Sequence, residues 1–368
     1  MRPAFSSTRQ AAVFGLLLLL LLLLPALMCK SWLPPRESIY SSVSWRFGSY
    51  PYLHQQIFEE KTDVDVVFMG SSHIWYGIDT PEVQRELSRK MGREAVVRTL
   101  GWQWPGFDAI YFIFQDLLQN RKVHMLVITD EYLGDAIRPQ TLSYRWFRFG
   151  DNAGELAGLP LQTRISFYAG AILGMPRNLL SLLRPNLPAD LASRQKTFID
   201  TQYHAPNPAT RLGSLAVQLG YNYGESSEFA RYKPEAVARP SDVCVYSPST
   251  RSKFQFTGPP TRSLQLYFAR KIVALAREHQ TRLVILHFPN YTEMRSPAIP
   301  ERECWPDILG GDVALVGISP ATLFEGMTDN GARKLFCDTG HLNQNGQEYF
   351  TPLITPTLLQ LYDSETKP

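Results

Sequence analysis

Hydrophobic positions along the chain fall into three regimes. From Ala11 to Cys29 they run without a charge, and Leu16 to Leu24 are nine consecutive leucines. Over residues 61–139, and again over 261–368, short apolar runs rich in β-branched residues alternate with amphipathic stretches. Between 140 and 260 neither period holds, and Pro, Ser and Asn punctuate the sequence.

The first regime predicts a membrane span. Nineteen residues at 1.5 Å per residue make a helix of ~29 Å, about the thickness of the bilayer hydrocarbon. Arg2 and Arg9 precede it and favour residues 1–10 in the cytoplasm, with the body translocated. A cleaved signal peptide is the competing reading, but Ala26-Leu27-Met28-Cys29 lacks the small residues of a cleavage site. Met28 is also too bulky before Cys29 for a lipoprotein site. The expectation is a signal anchor over 11–29 and an extracytoplasmic body, periplasmic or on the cell surface. A stem follows over 30–60, with Pro34-Pro35 and Pro51. The best later apolar segment, Ile165 to Met175, is too short to span and meets Pro176.

In the alternating regions the runs Val64–Met69, Ala95–Leu100, Val123–Thr129, Arg282–Phe288 and Val313–Ile318 read as strands buried on both faces. Pro81–Met91 reads as a helix with Thr80 as N-cap and Pro81 at the first helical position. Phe107–Gln119 and Arg262–His279 read as amphipathic helices. Gln344–Leu361 reads as a final helix interrupted by Pro352 and Pro356. Strands alternating with helices predict an α/β fold, a flavodoxin-like doubly wound sheet of five parallel strands. Its first part spans 61–139 and its second 261–368. The 140–260 segment, with an apolar helical piece over Arg164–Leu183, reads as a large insertion after strand three.

Composition narrows the function. With 37 Lys+Arg and 34 Asp+Glu the net charge is 37 − 34 = +3, too balanced for nucleic-acid binding by bulk charge. Hydrophobic residues at 44% support a real core and exclude global disorder. The four cysteines form no C-x-x-C pair, and Cys244, Cys304 and Cys337 allow one disulfide of open pairing in an oxidising compartment. No metal cluster or nucleotide loop stands in the sequence, so no cofactor is expected.

Ligand sites of doubly wound sheets gather at the carboxyl ends of the strands. Strand one ends in Gly70-Ser71-Ser72-His73, where glycine permits a tight turn and a serine hydroxyl is exposed above the sheet. An ordinary Gly-Ser turn is the bland alternative. Near the C-terminus stands Asp338-Thr339-Gly340-His341-Leu342-Asn343, then Gly346. An Asp three residues before a His is spaced to accept the imidazole Nδ1–H and to stabilise the imidazolium formed when His takes a proton from serine. Alternatively, Asp338 caps the helix that starts at Asn343.

Together, Gly70-Ser71-Ser72 after the first strand and Asp338-x-x-His341 after the last resemble the SGNH/GDSL hydrolases, a superfamily of esterases and acyltransferases on a flavodoxin-like fold. The resemblance covers about half the chain, roughly 62–135 and 262–350. It implies Ser72 as nucleophile, His341 as base and Asp338 as its orienting carboxylate, with Ser71 where the family has aspartate. It also implies an oxyanion hole from the Ser72 and Gly101 N–H groups, with Gly106 as fallback. The family's asparagine after strand three is absent, since Thr129-Asp130-Glu131 stand there. Gly-Ser-Ser with a single N-terminal anchor is most similar to the family's membrane-anchored acyl-transfer branch, which includes the D-alanyl transfer protein of teichoic acid synthesis and the alginate acetylation proteins. That branch implies an acyl donor, a glycan or cell-envelope polymer as acceptor, and a multi-pass membrane O-acyltransferase as partner, with no nucleic acid.

His73, Trp102, Trp104 and Asp130 are further candidates for substrate binding, each with core packing as the alternative reading. His287 reads as a core position. Asp130 and Glu131 are poor partners for glycoside cleavage, because adjacent strand residues point to opposite faces. Arg145, Arg148 and the aromatics Tyr144, Trp146, Phe147 and Phe149 form a basic-aromatic stretch suited to a lipid interface or a solvated loop. From a different class comes a non-catalytic polymer-binding or scaffold protein of a membrane complex.

Overall fold

The computed structural model describes residues 5–28, 50–101, 106–130, 156–166, 243–246, 263–291, 313–318, 320–336 and 340–363, with a few single positions besides. The chain divides into two compact units, Met1–Ser42 with Ile137–Arg184, and Val43–Ala136 with Pro185–Pro368. The 140–260 segment is thus shared between them.

In the first unit, helix α1 spans Thr8–Met28. Leu16 to Leu21 are all exposed, and no polar stripe interrupts them. Side chains of α1 are described through Leu21 and at Leu23. Among the described residues no helix is long and apolar enough to cross a membrane.

The second unit is an α/β fold around one sheet. Its strands are β1 (Val64–Gly70), β2 (Val97–Gly101), β3 (Val123–Thr129), β4 (Val243–Tyr246), β5 (Arg282–Leu286) and β6 (Ala314–Ile318). They lie in the order β2-β1-β3-β5-β6-β4. Five are parallel, and their order is that of a doubly wound sheet with the first strand inside and a crossover on either side of it. The sixth, β4, is an addition to the expected five. It pairs antiparallel with β6 at the edge, Val245 opposite Val316. Four residues in a Pro- and Ser-rich tract carry too short a pattern to announce a strand.

The parallel strands are buried along both faces, which explains their continuous apolar runs. Val66, Phe68, Met125, Val127, Val284, Leu286 and Val316 line one face. Against them pack the helices α2 (Ser72–Gly77), α3 (Thr80–Met91) and α6 (Gln344–Asp363), through Ile74, Val83, Leu87, Phe350 and Ile354. On the alternate side chains of the strands lie α4 (Phe107–Asn120) and α5 (Ser263–Glu278), whose Phe112 and Phe268 rings sit 5.6 Å apart.

Two helices differ from their expected ends. The N-cap of α3 is Asp79, one residue earlier than Thr80, and its Oδ1 accepts from the Glu82 N–H. Thr80 is drawn away by a hydrogen bond between its hydroxyl and that of Thr99 on β2. Gly92, at φ 66°, ends α3 in the left-handed conformation that suits glycine. In α6 neither Pro352 nor Pro356 breaks the helix. Each removes one N–H, but the buried Phe350, Leu353, Ile354 and Leu358 hold the helix to the sheet, and tertiary packing outweighs the local preference.

Candidate active site

The register fixes the first two site positions. Gly70 and Gly101 are direct partners at the carboxyl ends of β1 and β2. On the other side of β1, a Cβ on Gly70 would lie 3.0 Å from Thr129 Oγ1 and 3.1 Å from Thr129 Cγ2. Glycine therefore lets β1 and β3 end side by side, with the chain free to turn upward.

A capped turn leads out of β1. Ser71 is extended, and its hydroxyl accepts from the His73 N–H at 3.1 Å. The Ile74 N–H donates to the Ser71 carbonyl at 3.1 Å. Ser71 thus spends its side chain as the N-cap of α2. Ser72 becomes the first helical residue, two positions beyond the Gly70–Gly101 pair.

The C-terminal segment closes on the same turn. The His341 ring meets the His73 ring edge-on, with centroids 4.4 Å apart and planes at 64°. His341 immediately precedes Leu342, which bridges to Phe336 just before α6 begins. Asn343 makes that start. Its Oδ1 accepts from the Gly346 N–H at 3.1 Å and its Nδ2 donates to the Lys334 carbonyl at 2.7 Å. A Cβ on Gly346 would strike the Leu335 carbonyl oxygen, so glycine is required for the close approach. The cap of α6 is therefore Asn343. Asp338 lies outside the described residues, as do Trp102, Trp104, Cys304, Cys337 and the 144–149 stretch.

Helix α6 also grips the far end of α2. Gln347 Nε2 donates to the Ile78 carbonyl at 2.9 Å, and Thr351 Oγ1 donates to the Gly77 carbonyl at 3.3 Å. The helix that follows His341 thus holds the helix that Ser72 begins.

Asp130, at the end of β3, has a different setting from an open substrate contact. It is 1% exposed, and its Oδ2 lies 2.7 Å from His287 Nδ1. Thr129 and Leu286 are register partners, so the next residues on the two strands, Asp130 and His287, fall side by side on one face. His287 Nε2 lies 3.1 Å from Glu293 Oε2. Burial disfavours the charged ring, but the Asp130 and Glu293 carboxylates outweigh it and raise the His287 pKa well above its ordinary value. Burial likewise raises the Glu293 carboxyl, but His287 and the Asn290 amides together bring its pKa below the usual value. With both nitrogens on carboxylates, the raised pKa favours the imidazolium, which can donate to both. Sequence reasoning had no signal for this cluster, because it depends on the β3–β5 register.

No protein-family model matches the chain, and no curated protein matches it.

Proposed function

We propose that the chain is a membrane-anchored serine acyltransferase or esterase of the SGNH type, acting on O-acyl groups of an exported glycan or cell-envelope polymer. The observation that carries the reading is the contact between His73, the neighbour of Ser72, and His341 at the carboxyl ends of the parallel strands. Support also comes from Gly101 standing beside Gly70 and from α6 joining the two segments.

In this reading the Ser72 hydroxyl attacks the carbonyl carbon of the acyl donor while His341 takes its proton. Asp338 accepts from the other imidazole nitrogen and stabilises the imidazolium. The tetrahedral oxyanion accepts from the Ser72 and Gly101 N–H groups, at about 3 to 4 kcal/mol per donor. Collapse breaks the bond to the leaving alkoxide, which receives the proton from His341. The acyl-serine then passes its group to a sugar hydroxyl, or to water in an esterase, with His341 again as base. Water exclusion separates the two outcomes. The exposed leucine run of α1 supports an anchor, and Arg2 and Arg9 before it favour a body outside the cytoplasm. The natural partner in that setting is a multi-pass O-acyltransferase that supplies the acyl group.

One observation favours a second reading, a non-catalytic polymer-binding or scaffold protein. Where an asparagine would donate the third oxyanion hydrogen bond, Asp130 is an acceptor already turned toward His287.

Fluorophosphonate labelling of residues 31–368, mapped by mass spectrometry, tests both. The catalytic reading expects adduct on Ser72 that disappears in Ser72→Ala and falls at least about 10³-fold in rate in His341→Ala. Full cellular function in both variants, with no adduct in the parent, would instead establish the scaffold reading.

A further inference from the structure

The Asp130–His287–Glu293 cluster lies at the same carboxyl end of the strands as the Ser72 turn, yet none of its side chains has a place in the chemistry above. Its connections run toward α2. His287 is pinned on three sides: its amide donates to the Val316 carbonyl of β6 at 2.9 Å, and its ring nitrogens bind Asp130 and Glu293. Glu293 in turn accepts from the Asn290 N–H at 3.2 Å and from Asn290 Nδ2 at 3.1 Å. The chain leaving β5 is therefore held at His287, Asn290 and Glu293. Phe288, the next residue, points to the opposite face and is 4% exposed. Its ring fills the space where Gly77, the last residue of α2, would carry a Cβ. Ring and helix end are in direct contact only because residue 77 is glycine.

We propose that the Asp130–His287–Glu293 cluster is a positioning clamp for α2: by fixing the end of β5 it holds Phe288 under Gly77 and so keeps the Ser72 turn in register with Gly101. His287 is here a positioning residue that acts through Phe288 and touches no reacting atom. The effect on α2 stands whether or not Ser72 is a nucleophile; only its consequence for activity rests on that proposal. Among the described residues the charged groups acting on the ring are Asp130 from the end of β3 and Glu293 from the segment after β5, while β6 contributes the Val316 carbonyl to the amide. Since the charged ring donates to both carboxylates, deprotonation removes one of the two hydrogen bonds and frees the segment on one side.

Hydrogen exchange of the full chain in detergent tests the clamp directly. In His287→Gln and Glu293→Gln, protection of the Ile74 and Ile78 amides should fall about tenfold or more, with α3 and α5 unchanged. An unchanged α2, or an even loss over the whole unit, would overturn the proposal in favour of a merely stabilising ion pair. Should His287→Gln fail to fold, Glu293→Gln decides on the same criterion, since the Glu293 side chain is the most exposed of the three. A second readout is the pH profile of Ser72 labelling. Its decline at alkaline pH should move about one pH unit lower in Glu293→Gln, because one of the two carboxylates that hold the proton on His287 is gone. A decline that stays in place contradicts the clamp's role in activity. Absence of label in the parent overturns the nucleophile reading and leaves the exchange result to decide the clamp.

Discussion

Thr351 Oγ1 accepts a hydrogen bond from the Asp79 N–H at 2.9 Å, joining residues 272 positions apart. The same hydroxyl donates to the Gly77 carbonyl, so one buried side chain satisfies two backbone groups at the exit of α2. It links the helix that follows His341 to the exit of α2, the helix that Ser72 begins.

Thr351→Val keeps the shape and removes the hydroxyl. Two backbone groups then lose their partner in a buried setting, so the substitution should destabilise by about 1–3 kcal/mol. Urea denaturation of the variant should show a lower midpoint with an unchanged slope. Fluorophosphonate labelling of Ser72 should slow by more than the loss of stability explains under native conditions. An unchanged midpoint would show that water replaces the hydroxyl.

Gly77→Ala tests the contact on the other side of α2. The new methyl collides with the buried Phe288 ring. Overpacking of this kind costs roughly 1–3 kcal/mol. Adding Phe288→Leu to Gly77→Ala should recover part of that loss, since a smaller side chain leaves room. Measuring the coupling in a double-mutant cycle checks the geometry, and strict additivity would refute it.

The five parallel strands were legible because burial on both faces writes itself as an uninterrupted apolar run. Val123–Thr129 stands where the pattern puts it, and the helices over Phe107–Asn120 and Ser263–Glu278 match within a residue. The cap of α3 was misplaced by one residue because Asp79 and Thr80 are both good caps, and only the tertiary bond from Thr80 to Thr99 decides between them. Pro352 and Pro356 signal a break that the core side of α6 overrules. For the site, Gly70, Ser72, Gly101 and His341 carry local signals, a turn after a strand or an Asp-x-x-His spacing. His287 carries none. Its role comes from a neighbour 157 positions away that only the strand register supplies.

His287 makes stability depend on pH on the alkaline side. Its pKa is raised in the folded state, so its contribution is complete below the unfolded value of ~6.5 and is lost as pH rises through the folded value. The thermal midpoint of the parent should therefore fall as pH rises above neutrality. In His287→Gln that part of the slope should be absent. A parent and variant with parallel alkaline slopes would show that the ring does not carry its charge.

Asp65 governs the acid side. It sits in β1 at 7% exposure, and its carboxylate accepts four hydrogen bonds. These come from Arg93 Nη1 and Nη2 at 2.9 and 2.6 Å, the Val96 N–H at 2.8 Å and the Tyr362 hydroxyl at 2.8 Å. Burial opposes the charge, but the hydrogen bonds from Arg93, Val96 and Tyr362 together lower the Asp65 pKa below its usual value. A depressed carboxylate contributes fully above the unfolded pKa of ~3.9, and the contribution is lost as pH falls through the folded value. Asp65→Asn turns an acceptor into a donor that faces donors, and should cost about 2 kcal/mol at pH 7. Because Tyr362 lies in the last turn of α6, the loss should appear first as exchange at that end of the helix. Acid titration of the thermal midpoint separates the causes. The parent should lose stability below about pH 4 faster than Asp65→Asn, because only the parent has this proton to take up. Equal acid slopes would mean that Asp65 binds its proton alike in both states, and that the Arg93 and Tyr362 contacts contribute nothing to the charge.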